Sequence, residues 1–155
     1  MELPNRKRNR LKEYDYSQNG AYYVTMCTKN RCAILGTINL ESPLPLLSKS
    51  GLIVEQEIIR LNQLYKSVVV DKYVIMPNHI HLVIFISNEE NNSDKNPTVP
   101  NIIRQFKGII TKKIGKSIWQ RSYYDRIIRN KDEYLLIWQY IDGNPEQWKE
   151  DEYFR

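Results

Sequence analysis

An α+β domain, built as an antiparallel sheet with helices on one face, follows from three features of the sequence. Extended and helical segments succeed one another in the order β-β-α-β-β-α-(β)-α, and several connections are too short for a parallel crossover. Two helical segments carry clear apolar stripes at helical spacing. The chain's 155 residues suit one domain, which at this size buries roughly two thirds of its extended surface and needs no disulfide or structural metal.

Each element has a local cause. The Gln18-Asn19-Gly20 turn precedes AYYVTMCT (21–28), rich in β-branched and aromatic residues and therefore a strand. Lys29-Asn30-Arg31 reads as a tight hairpin connection to a second strand at 33–40, and ESPLPLLSKSG (41–51) as a loop, because it holds two prolines. Ser50 is a predicted cap for a helix over 51–64, with Val54, Ile58, Leu61 and Tyr65 inward and Glu55, Glu57 and Arg60 on the other faces. Strands follow at 68–75 and 79–86, broken only by Met76-Pro77-Asn78, and are predicted antiparallel neighbours. NEENNSDKNP (88–97) is a polar, flexible linker.

Thr98 or Pro100 opens a second long helix, whose stripe is Val99, Ile102, Ile103, Phe106, Ile109, Ile110 and Ile114, with Gly115 as its stop. Residues 117–128 are ambiguous, with an extended piece near 126–128, and a final helix covers 131–142. The whole order is that of a ferredoxin-like or RRM-like sheet within a single domain of residues 1–155.

Composition narrows the function classes. Cys27 and Cys32 lack metal-ligand spacing and read as incidental thiols of a reducing, cytoplasmic compartment. The opening MELPNRKRNR has no apolar stretch of the kind a secretory signal needs. No run reaches the roughly 18 apolar residues of a membrane span. The formal net charge of +5 is unevenly spread. Arg6, Lys7, Arg8, Arg10 and Lys12 form a basic arm opposed by Glu2 alone, and 97–124 holds six basic residues (Arg104, Lys107, Lys112, Lys113, Lys116, Arg121) and no acid. From Asp142 onward the chain is net negative. This segregation fits a polyanion along one face, while a solvated helix surface is the plainer reading.

His79 and His81 are the only histidines. On a strand they share a face with Val83 and Phe85, while Ile80, Leu82, Ile84 and Ile86 point the other way. Two adjacent imidazoles make half of a divalent-cation site and need a third ligand; a surface histidine beside a half-buried one is the structural alternative. The chain also has 11 tyrosines, too many for position alone to single out a nucleophile.

YVIMPNHIHLVI (73–84) resembles the histidine-hydrophobic-histidine (HUH) strand of single-tyrosine transposases. Together with YVT (23–25), KNR (29–31), WQRSYYDRIIR (119–129) and YIDGNP (140–145), it is similar to the REP-associated tyrosine transposases, a branch of the HUH nucleases, over about residues 10–148. The resemblance implies that His79, His81 and Asn144 hold Mg²⁺ or Mn²⁺. It implies too that Tyr140 on the last helix attacks DNA to form a 5′-phosphotyrosine, cutting single-stranded DNA beside a hairpin in a bacterial, nucleoid-associated setting. Insertion-sequence relatives are dimers with shared sites, whereas the REP-associated branch can be monomeric, so monomer and homodimer both stay open.

Tyr140 and Asn144, four residues apart, fall on neighbouring turns of one helix beside a Tyr134-Ile137-Trp138-Ile141 stripe. Alone, Tyr140 reads as a boundary residue covering the core and Asn144 as a helix end before proline. Tyr123 and Tyr124 are rival nucleophiles. For DNA binding the candidates are Arg6, Arg8 and Arg10 of the arm, Arg104, Lys107 and Lys112 of the basic helix, Arg121, and Trp119 as a stacking platform or a buried ring. Two competing functions remain: a non-catalytic RRM-like nucleic-acid-binding module stacking bases on sheet aromatics such as Tyr23, and a metal-dependent phosphodiesterase acting on a nucleotide.

Overall fold

The computed structural model describes residues 20–39, 41–87 and 97–154. The basic arm, with Arg6, Arg8 and Arg10, and most of the polar linker lie outside the described residues.

Four strands form one antiparallel sheet in the order β4-β5-β1-β6: β1 (Gly20–Cys27), β4 (Val68–Met76), β5 (His79–Ile86) and β6 (Tyr124–Ile128). This is the ferredoxin-like order once a separate two-stranded ribbon, β2 (Gly36–Asn39) with β3 (Ser42–Leu47), is set aside. Three helices complete the fold: α1 (Lys49–Leu64), α2 (Val99–Ile114) and α3 (Lys131–Gly143).

Period-2 alternation divides the sheet into two faces. Tyr22, Val24 and Met26 of β1 and Ile80, Leu82, Ile84 and Ile86 of β5 join the buried residues of α1 and α2 in the larger core. Tyr23, Cys27 and Val83 point the opposite way and pack with Ile137 and Ile141 of α3 and with Trp148 and Tyr153 beyond it. The two long helices therefore share one face, and the helix carrying Tyr140 covers the other.

Several local expectations are revised. The chain after β1 turns through a 3-10 segment (Lys29–Arg31) in which Asn30 and Arg31 take φ of 54° and 52°. β1 and β2 form no hairpin with each other, because β1 pairs with β5 and β6 while β2 pairs with β3. The stretch predicted as a loop contains β3, whose prolines are tolerated because among the described residues it pairs with β2 alone. Ser48, not Ser50, caps α1: its Oγ accepts from the Gly51 N–H at 3.1 Å and donates to the Ile34 carbonyl at 2.6 Å. Gly51 allows this helix start, since a Cβ there would come within 2.0 Å of the Leu35 carbonyl oxygen. At the end of α2, Gly115 adopts φ of 93° and donates to the Thr111 carbonyl, the predicted stop.

Glu57 is buried rather than outward, at 4% exposure. It sits between α1 and α2, where Lys113 Nζ (3.0 Å) and Arg60 Nη1 (3.1 Å) meet its carboxylate. Removing one partner of such a pair leaves an uncompensated buried charge. Trp119 is 3% exposed and packs against Phe106, so the buried reading of that ring is the one observed.

The capping difference is testable. Ser48→Ala should destabilise the protein by about 1–2 kcal/mol, whereas Ser50→Ala should stay within about 0.5 kcal/mol. Urea unfolding of the two variants reads this directly; a larger loss at Ser50 would contradict the assigned helix start.

Candidate active site

The β4–β5 turn places the histidine pair at the start of β5, on the face covered by α3. Met76↔His79 and Val74↔His81 are register partners on one side, Cys27↔His79 and Thr25↔His81 on the other. His79 and His81 are 0% and 1% exposed, and their rings lie 4.7 Å apart edge to face. The sequence placed both on one face; burial under α3 comes from the tertiary fold.

Each ring is held through Nδ1. Asn78 donates through Nδ2 to the carbonyls of Arg31 (3.1 Å) and Tyr153 (2.6 Å). Carbonyls only accept, so Asn78 Oδ1 must be the atom facing His79 Nδ1 at 2.9 Å. His79 therefore carries its proton on Nδ1 and presents an Nε2 lone pair. His81 Nδ1 lies 2.8 Å from Thr25 Oγ1 and 3.0 Å from the Tyr23 hydroxyl. Both Nε2 atoms are buried and have no hydrogen-bond partner among the described residues. Buried polar atoms without partners are costly and uncommon, and two such lone pairs side by side fit a ligand. Burial holds both imidazoles neutral: it lowers His79 to about 3, with the neighbouring Asn144 working the other way and Arg31 adding to the lowering. His81 is pushed well below its ordinary value by burial and then by His79.

The C-cap of α3 is Asn144. Asn144 is 2% exposed, and its Nδ2 donates to Asp151 Oδ2 at 2.7 Å. Its Oδ1 is left buried and without a partner among the described residues. Two imidazole nitrogens and an amide oxygen are donor types that suit a divalent cation. No group of three or more His, Cys, Asp and Glu side chains is placed to hold a metal among the described residues; the amide is what makes this set different.

Tyr140, one turn before Asn144, has its ring 5.6 Å from that of His81. Burial, then Asp151 and Glu152, push its phenol up to about 12. Tyr123 is buried in the opposite core, and Tyr124 is exposed on β6. α3 is anchored by buried Ile137 and Ile141 and strapped at its rims. Lys72 pairs with Asp142 (2.7 Å) and lies 3.9 Å over the Trp138 ring, Tyr134 bonds Asp71, and Arg126 meets Glu133 at 2.6 Å.

The basic residues are dispersed. α2, with Arg104 and Lys112 exposed, packs on the face away from the histidines. Lys107 Nζ donates to the carbonyls of Gln120 and Ser122 and so pins that loop, next to exposed Arg121. Sequence reasoning missed Asn78, Asp151 and Tyr153, whose ring stacks on His79 at 4.3 Å. Asn78 was legible only as the polar residue before the histidine strand, and the acidic tail carried no sign that Asp151 turns inward.

The chain has the fold of the HUH transposases. A REP-associated tyrosine transposase solved bound to a REP hairpin superposes with a TM-score of 0.65 at 22% identity, covering 87% of this chain and 73% of that one. A Deinococcus radiodurans R1 protein, provisionally assigned as a transposase, gives 0.51 at 16% identity over 88% and 97% of the two chains. The protein belongs to one family with an uncharacterized Haemophilus influenzae protein, 33% identical over 173 aligned residues that cover 98% of this chain and 94% of that one. No family model matches.

The neutral histidines predict a pH response. Unfolding restores imidazoles of pKa about 6.5, so below that pH the unfolded chain binds more protons than the folded one. Stability should be full above about pH 6.5 and fall as pH drops toward 3, with a slope of up to about 2.7 kcal/mol per pH unit for two rings. Denaturant titrations of metal-free protein between pH 7 and 4.5 measure it. His79→Gln should roughly halve the slope, and an unchanged slope would mean that His79 is not the neutral buried group described.

Proposed function

We propose that this protein is a metal-dependent enzyme that nicks and rejoins single-stranded DNA beside a hairpin, with Tyr140 as nucleophile and His79, His81 and Asn144 as metal ligands. The observations that carry this reading are three buried donor atoms without a hydrogen-bond partner among the described residues, His79 Nε2, His81 Nε2 and Asn144 Oδ1, and the Tyr140 ring 5.6 Å from that of His81. The hairpin-bound transposase of the same fold supports the substrate class. Mg²⁺ or Mn²⁺ in this donor set would polarise the scissile phosphate and offset charge developing on its oxygens.

The remaining chemistry belongs to the chain. Asn78, Thr25 and Tyr23 hold the two rings with Nε2 free. Tyr140 stays a neutral phenol while its surroundings are apolar and acidic; the positive charge of a cation in the donor set would favour its ionisation, the proton passing to solvent. Its Oη then bonds phosphorus, the bond to the 3′-oxygen breaks, and that oxygen takes a proton to leave as a 3′-hydroxyl. The 5′-phosphotyrosine retains the phosphodiester's free energy, so a 3′-hydroxyl can attack it and rejoin strands. Such a protein would act on chromosomal DNA in the cytoplasm. No helix among the described residues is long and apolar enough to cross a membrane.

The RRM-like alternative loses its surface. Tyr23, its stacking residue, is 5% exposed and packs with Ile137 and Ile141 beneath α3, so that sheet face is closed to bases.

Incubation with Mn²⁺ and a single-stranded hairpin DNA should give an SDS-stable covalent adduct. Tyr140→Phe should abolish adduct and cleavage by at least about 10³-fold without unfolding the protein, and His79→Ala or His81→Ala should remove cleavage while sparing hairpin binding. Tyr123→Phe and Tyr124→Phe are controls, and an adduct mapped by mass spectrometry to either residue would overturn the assignment of Tyr140.

The basic face is tested separately. Reversing Arg104 and Lys112 to glutamate together should weaken hairpin binding and lower the slope of log affinity against log salt by about two. An unchanged slope would take α2 out of the DNA footprint.

A further inference from the structure

Downstream of α3 the chain makes a 3-10 turn (Trp148–Glu150) and returns to the histidines. The Asp151 side chain is 0% exposed, with Oδ2 3.8 Å from His79 Nε2. No lysine or arginine of the described residues pairs with it. Its two oxygens have separate partners: Oδ2 accepts from Asn144 Nδ2 at 2.7 Å, and Oδ1 from the Tyr153 N–H at 2.8 Å.

Resting on the metal-site reading above, we propose that Asp151 is a positioning residue that turns the Asn144 amide so that its Oδ1, not its Nδ2, faces the cation. An amide can flip, and its two ends differ completely as ligands: the oxygen donates lone pairs, whereas the NH₂ group has none to give. Nothing within Asn144 selects the orientation. A carboxylate can only accept, so a buried one at 2.7 Å compels the NH₂ group toward itself and leaves the oxygen for the site. Its negative charge also favours a cation nearby, at a position where the other donors are neutral. The same segment reaches the histidines. Tyr153, held by Asp151 Oδ1, offers its carbonyl to Asn78 Nδ2, and Asn78 Oδ1 in turn faces His79 Nδ1. Outer partners of this kind typically carry 10–100-fold of metal affinity.

Calorimetric titration of DNA-free protein with Mn²⁺ tests the role. Asp151→Ala should weaken Mn²⁺ binding about 10–100-fold, and the loss should largely disappear in an Asn144→Ala background, because the amide it orients is gone. The exchanged pair Asn144→Asp with Asp151→Asn should recover affinity to within about tenfold of wild type, since an amide at 151 can donate to a carboxylate at 144. An undiminished loss in the Asn144→Ala background, or no recovery in a folded exchanged pair, overturns the positioning role. Should Asp151→Ala not fold by circular dichroism, wild type decides: its Asn144 side-chain NH₂ resonances should stay protected from hydrogen exchange with and without Mg²⁺, and loss of protection on adding Mg²⁺ overturns the role. Mn²⁺ binding by Asp151→Ala equal to wild type, with binding lost in His81→Ala, overturns the role of Asp151 while leaving the metal centre standing. Wild type that binds no Mn²⁺ defeats both.

Discussion

His79 and His81 are buried side by side on a sheet face, and two polar rings can stay there only if their nitrogens find partners. Each Nδ1 has them: Asn78 for His79, Thr25 and Tyr23 for His81. Those partners come from the β4–β5 turn and from the neighbouring strand β1, so sheet register and the chemistry of the rings are one constraint. A one-residue slip of β5 against β1 would exchange the two faces, turning the imidazoles into the aliphatic core and Ile80 and Leu82 out of it.

The satisfied Nδ1 atoms give the unsatisfied Nε2 atoms their meaning. In a face held together only by packing, both nitrogens of a buried histidine would be expected to find partners. Here one side of each ring is fixed through Nδ1, and the Nε2 side is buried without a partner among the described residues. The donors proposed above, His79, His81 and Asn144, are neutral and would leave a divalent ion's charge for an anionic substrate. The phenol of Tyr140 is held neutral by burial and by Asp151 and Glu152, a state that the nucleophile proposed above would leave only near positive charge.

The two faces of the sheet divide the work. Toward α1 and α2 lies the larger core, and several polar side chains on that side serve the fold: Glu57 joins the two helices, Lys113 neutralises it, and Lys107 secures the 120–122 loop. Toward α3 the core is smaller. Only Ile137 and Ile141 of that helix are buried, and rim contacts from Lys72, Asp71 and Arg126 fix its direction. The helix that carries the candidate nucleophile thus depends on few apolar contacts, and truncating a buried isoleucine there would remove about 2–5 kcal/mol.

What the sequence determined by itself were the features written in local periodicity. Apolar stripes at helical spacing defined α1 and α2, and Gly115 marked the end of the latter. Alternation along 79–86 put His79 and His81 on one face and four aliphatic residues on the other. The i,i+4 spacing joined Tyr140 to Asn144. Where local signals compete, the reading failed. Prolines masked β3 although its partner β2 ends only a few residues before it, and Ser50 stood two residues too late for the cap that Ser48 makes to the Gly51 N–H. Only the tertiary structure decided that α3 closes over the histidines, that Trp119 and Glu57 turn inward, and that Asp151 reaches Asn144. These are long-range meetings across packed layers. A residue's own neighbours in sequence carry no record of which buried atom will lie opposite it once desolvation has chosen the partners.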